Sequence, residues 1–306
     1  MNLTERSGAL KKRALTLALA VGLVALVVAL PASAVTPQWA PASTASIHPG
    51  VTMITGPNQC TSNFVFTDSI GNIFLGQAAH CASIGDVSNT NGCTTPSLPV
   101  GTPVTIEGGT APGILVYNSW RTMQAREESD ENTCRYNDLS LVLVNRRDFD
   151  KINPSFPHFG GPTGLATATN RGDKVLVFGA SSLLKDLKDL KPRQGVSRGQ
   201  GAGGWTHTVF TLIPGIPGDS GSGFLDGQGR AFGVLSTLTL LPEPLSNGVS
   251  DLFLTLNYAN HFGNLGELTL ANGTEPFNSA LASTDLSALD GTLTLLEQLL
   301  DLLNLR

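Results

Sequence analysis

"YNDLSLVLV", residues 136–144, sets a lone carboxylate, Asp138, directly before a short apolar run that opens in alternation. Runs of this kind recur through the chain between Gly, Asn, Asp and Pro: "NFVFTD", "NIFLGQAAH", "TPVTIEGG", "GILVYNSW", "KVLVFGA", "HTVFTLI", "AFGVLSTLTLL" and "DLFLTLNYA". They are short and rich in Val, Thr, Phe and Ile, which reads as strands. Many strands punctuated by turns, with no alternating helical segments, make an all-β sandwich or barrel. A charged and then Pro/Gly-rich stretch, residues 145–164, splits the runs into two groups and reads as the connection between two β subdomains.

The ends of the chain differ in texture. Arg6, Lys11, Lys12 and Arg13 precede an uncharged run, residues 14–30, and then "PASA". A basic start, an apolar stretch and a small-x-small ending form a secretory signal over residues 1–34. A retained anchor is the competing reading, since the apolar run approaches spanning length. Residues 35–50 read as an extended segment. Beyond residue 276, leucines at 286, 289, 293, 296, 300 and 303 predict an amphipathic helix to residue 306, and self-association along that seam is an expectation.

Removing residues 1–34 takes four basic residues and Glu5 from totals of 19 and 24, leaving 15 against 23 and a formal charge of −8. That balance argues against nucleic acid and anionic membranes as partners. Four cysteines, Cys60, Cys81, Cys93 and Cys134, in an exported chain imply two disulfides. Three connectivities are open, of which Cys60–Cys81 with Cys93–Cys134 is the simplest. No C-x-x-C or H-x-x-x-H spacing supports a metal site, and no cofactor is implied.

"PGDSGSG", residues 217–223, places Ser220 in a glycine-rich turn. A serine becomes a nucleophile only beside a base that a third group orients. Among five histidines, His80 in "QAAHC" stands at the end of a β run and against a cysteine. Asp138, at the edge of an apolar strand, suits the orienting acid. Glu127, Glu128, Asp130 and Glu131 in "REESDEN" read instead as a solvated charge run.

"QAAHC", "YNDLSLVLV" and "PGDSGSG", in that order, resemble the His, Asp and Ser motifs of the chymotrypsin/trypsin-like serine peptidases, especially secreted bacterial members. The resemblance implies two six-stranded antiparallel β-barrels, about residues 51–150 and 160–262 of a peptidase domain spanning 51–275. It implies His80 as general base, Asp138 as its orienter and Ser220 as nucleophile. Gly218 and Ser220 would supply the oxyanion-hole N–H groups. Protein or peptide substrates and an extracellular destination follow. The position six before the serine is Pro214, not an acid, and "GVLSTLT" resembles the strand that pairs with substrate. Pro214, Ser236, Thr237 and Leu238 are therefore the expected substrate contacts, favouring small or medium apolar side chains on the acyl side.

The chain departs from the family in reading "GDSGSGF" where G-D-S-G-G-P is usual. No hydrophobic pair followed by two glycines precedes Cys60, which leaves an internal arginine such as Arg135, Arg146 or Arg147 as the expected partner of Asp219. Two rival readings compete. An α/β-hydrolase esterase also holds its serine in a tight turn, but Ser222 stands where that elbow requires glycine. A catalytically inactive binding or surface module on the same barrels is the other.

Overall fold

β4 (Ile73–Gln77) and β7 (Ser140–Leu143) pair antiparallel at the centre of the first sheet, and their side chains divide by parity. Ile73, Leu75 and Val142 turn into one apolar cluster, while Phe74 and Leu141 turn into another. Successive side chains of a strand face opposite ways, so a strand that is apolar throughout can be buried on both faces. The computed structural model describes residues 37–85, 89–184, 187–211, 213–239, 246–278 and 280. The expected signal sequence over residues 1–34 and the expected leucine-rich helix from 286 lie outside them.

The first sheet is eight-stranded, in the order β14-β3-β4-β7-β6-β5-β1-β2, with β1 (Thr52–Thr55), β2 (Asn58–Thr61), β3 (Val65–Thr67), β5 (Pro103–Ile106), β6 (Gly113–Asn118) and β14 (Thr269–Leu270). It curls into a half-barrel, in keeping with the first of the two barrels expected, with eight strands where six were expected. Residues 62–64 explain the difference. They leave the ladder and bond to Val51 and Gly76, which splits one long strand into β2 and β3. Because β2 closes one end of the order and β3 lies next to the other, this three-residue link forces the sheet to curl. Inside the curl lie Met53, Val65, Leu75, Val104, Leu115 and Val142.

The second sheet is a closed barrel, β10-β13-β12-β11-β8-β9, built from β8 (Lys174–Phe178), β9 (Pro192–Gly201), β10 (Thr206–Thr211), β11 (Gly223–Asp226), β12 (Ala231–Thr239) and β13 (Ser246–Asp251). Val175, Val177, Val209, Phe224, Phe232 and Val249 fill it. Leu176, Leu225 and Val234 point the other way and join Phe64, Phe66, Phe74 and Leu141 in a shared core between the sheets.

Two short helices interrupt the first sheet, α1 (Ser119–Ala125) and α2 (Glu131–Tyr136). The charge run "REESDEN" therefore does local work: Asp130 accepts from the Thr133 amide at 2.7 Å and caps α2. A third helix, α3 (Leu252–Phe262), is capped in the same way by Asp251. After it, residues 276–278 belong to no helix or strand. Glu275 accepts from the Gly161 amide and the Asn278 amide donates to Phe159, so this segment is tied to residues 159–161. None of the helices among the described residues is long and apolar enough to cross a membrane.

Candidate active site

His80 lies in a 3-10 turn, Ala79–Ala82, that follows directly from β4. Three contacts hold the turn. Ser140 Oγ donates to Ala78 O, Asn118 Nδ2 donates to Ala79 O, and Cys81 is disulfide-bonded to Cys60 on β2, Cα to Cα 6.1 Å. The second disulfide joins Cys93 to Cys134, so the cysteines pair in chain order. A ring nitrogen of His80 and the sulfurs of Cys60 and Cys81 lie close together, but both sulfurs are spent on each other and offer no thiolate to a metal.

Asp138, 2% exposed, receives two bonds from His80: the backbone amide donates to Oδ1 at 2.8 Å and Nδ1 lies 2.7 Å from Oδ2. Ser236 Oγ donates to the same Oδ2 at 2.5 Å. A carboxylate only accepts, so Nδ1 carries a proton and Nε2 of the neutral ring keeps a lone pair. Burial alone would lower the pKa of His80, yet the charge of Asp138 and its hydrogen bond outweigh it and leave the imidazole above its ordinary value of 6.5. Burial would likewise raise the carboxyl of Asp138, and the His80 charge and the bonds from His80 and Ser236 bring it below 3.8.

Ser220 sits in a turn that glycine alone permits. Gly218 and Gly221 have φ of +97° and +89°. A Cβ on Gly221 would fall 2.6 Å from Thr61 O and 2.8 Å from Ala78 N, both rigid backbone. The turn is pinned from outside by Thr61, whose Oγ1 donates to Gly218 O and whose amide donates to Ser220 O, each at 2.8 Å. Among the described residues, the N–H groups of Gly218 and Ser220 donate to no protein acceptor. From inside the turn is pinned by Asp219, fully buried, which accepts from the amides of Ser181 and Ile216.

The cation facing Asp219 is Arg193, with Nη2 2.7 Å from Oδ2 and both side chains buried. This corrects the expectation of Arg135, Arg146 or Arg147. Arg135 pairs with Glu131, and Arg146 reaches Asn72. Arg193 stands at the start of β9, and only closure of the second barrel brings it beneath the turn. In the sequence it is one arginine in "KPRQG", with no neighbouring signal.

No family model matches the chain, and no curated protein matches it. Solved structures do. Protease A of Thermobifida fusca is 17% identical and aligns over 74% of this chain and 99% of its own, with a TM-score of 0.47. A Nocardiopsis protease is 18% identical over 73% of this chain and 98% of its own, TM-score 0.46. A glutamic acid-specific serine protease that uses a histidine triad in substrate binding is 14% identical over 74% and 100%, TM-score 0.46. The chain has the two-barrel, chymotrypsin-like fold. Its own strand order carries that statement: a closed six-stranded barrel beside a curled sheet, sharing one core.

In this two-barrel fold His80 and Ser220 line one cavity of about 690 Å³, together with Gly215, Ile216, Leu235 and Thr237. Ser236 also reaches it, but its hydroxyl is bound to Asp138. Pro214 does not line the cavity; its carbonyl faces Arg193 Nη1 at 3.4 Å, behind the wall that Gly215 and Ile216 form. Leu238 pairs through its backbone with Asn247 on β13. Sequence reasoning missed Leu235 and Ile216 as lining residues. Each reads as an ordinary core residue until the barrel places it at the crevice.

Proposed function

We propose that the chain is an exported serine endopeptidase. The observation that carries this reading is the hydrogen-bonded series Ser236–Asp138–His80, fixed at one side of a cavity that also holds Ser220 and two N–H groups without an acceptor. Ser220 Oγ attacks the scissile carbonyl carbon while His80 Nε2 takes its proton. The imidazolium that forms is stabilised by Asp138, and the oxyanion accepts from Gly218 and Ser220 N–H. Collapse expels the amine, which takes the proton back from Nε2. Water then repeats the sequence on the acyl-enzyme and releases the acid.

Among the described residues lining this cavity, His80 is the only ionisable side chain, and none is Lys, Arg, Asp or Glu. Ile216, Leu235 and Thr237 therefore favour small or medium apolar side chains on the acyl side. A methylene more or less in such a slot shifts selection by only about 1–3 kcal/mol, so the preference is broad. The signal sequence and the two disulfides support an extracellular destination.

The test is labelling with a phosphonylating reagent followed by peptide mapping, alongside cleavage of unstructured proteins. We expect an adduct on Ser220 and loss of cleavage in Ser220→Ala and His80→Ala. An unlabelled Ser220 together with undiminished cleavage in both variants would overturn the reading, and absence of any cleavage would favour the inactive module.

A further inference from the structure

Ser236 and Thr237 line a second cavity as well as the first. It holds about 310 Å³, and its other walls include Asn89, Asn91, Arg135, Tyr136 and Thr206. Amides and hydroxyls dominate it, and among the described residues lining it Arg135 is the one that carries a charge. Its walls are joined covalently. Cys134, next to Arg135, is bonded to Cys93, whose loop supplies Asn89 and Asn91, and the Gly92 amide donates to Cys134 O at 2.8 Å.

Arg135 is not consumed by its partner. Glu131 lies one helical turn earlier at 3.1 Å, with side chains 58% and 77% exposed, a solvent-screened pair of small worth. A guanidinium has five N–H donors in a planar fork that matches a carboxylate, and one such bond leaves the others free. The same short helix that feeds Asp138 into the triad thus presents a cation one cavity further along β12.

We propose that this second cavity is a subsite for an acidic side chain of the substrate, held by Arg135, on the acyl side of the scissile bond. The inference rests on the endopeptidase reading: an acyl chain laid along β12 passes from the apolar cavity over Ser236 and Thr237 into the polar one. Substrate selection then combines an apolar residue at the bond with a carboxylate upstream of it.

Peptide pairs differing only by Glu against Gln at the second, third or fourth acyl-side residue test this. At one of these positions we expect kcat/KM to favour Glu by roughly two- to fivefold at low salt, within the range an exposed charge pair allows, and less at 1 M salt, where charges are screened. Arg135→Gln should bring that ratio close to one and Arg135→Glu should invert it, while Arg171→Gln, an exposed cation elsewhere, should keep it. The same pairs are also bound to the Ser220→Ala protein and followed by fluorescence anisotropy. A Glu preference in binding that Arg135→Gln removes supports the subsite even if no peptide is cleaved, in which case only the endopeptidase reading falls. Equal handling of Glu and Gln, or a ratio that Arg135→Gln leaves unchanged, overturns the subsite whether or not cleavage occurs.

Discussion

His80 and Asp138 stabilise the fold and run the proposed chemistry at different pH values. The folded pKa of His80 is raised above 6.5, so its contribution is complete below 6.5 and is lost as pH rises through the folded value. The folded pKa of Asp138 is depressed, so its contribution is complete above 3.8 and is lost as pH falls through the folded value. The pair therefore contributes most to stability between 3.8 and 6.5. A general base must be neutral, which requires a pH above the folded pKa of His80. We expect kcat/KM to rise with an inflection above 6.5, on the alkaline side of the pair's stability window. Thermal midpoints of the protein minus those of Asp138→Asn, measured across pH, should be largest inside that window. An inflection below 6.5, or a difference that peaks in alkali, would contradict the geometry.

At the scale of the element, the turn that carries His80 has only four residues, Ala79–Ala82, and is too short to hold itself. Its position is borrowed from β2 through Cys60–Cys81, from α1 through the Asn118 cap and from β7 through Ser140. Closing a 21-residue interval removes unfolded-state freedom worth about 3 kcal/mol in the chain-entropy model. We expect the Cys60→Ser, Cys81→Ser double variant to lose roughly that much in urea unfolding. Its loss in kcat should exceed its change in KM, because the base moves while the apolar wall of Ile216 and Leu235 remains. A variant with unaltered kcat would show that the hydrogen bonds from Asn118 and Ser140 suffice.

Across the whole molecule, the Ser220 turn is where the two sheets depend on each other. Thr61 of the first sheet holds the turn from one side, and Arg193 of the barrel holds Asp219 from the other. Removing one member of a buried ion pair strands the other charge, at a cost of about 3–5 kcal/mol. Arg193→Ala should therefore lower stability by that amount and reduce labelling of Ser220, with refolding followed by circular dichroism and adduct formation by mass spectrometry. Arg135→Ala, by contrast, should leave both unchanged within error. Loss of labelling in Arg135→Ala with retention in Arg193→Ala would reverse the assignment of the partner of Asp219.

What the chain determined by itself is local. Alternation and β-branched runs mark the strands because the two faces of a strand see different surroundings, and that relation needs only neighbours in sequence. Glycine at 218 and 221 is legible for the same reason, since a positive φ is a property of one residue. His80, Asp138 and Ser220 were legible as motifs, each at the end of a strand or in a tight turn. The structure sets His80 against Asp138 and opens its cavity onto Ser220. Arg193 beneath Asp219, Ser236 on the Asp138 carboxylate and Leu235 on the cavity wall were decided only by tertiary structure. Each is brought there by strands pairing across tens of residues, so its partner is chosen by barrel closure and carries no trace in the residues beside it. The count of strands in the first sheet was decided in the same way, by hydrogen bonds from residues 62–64 to Val51 and Gly76 that no local pattern announces.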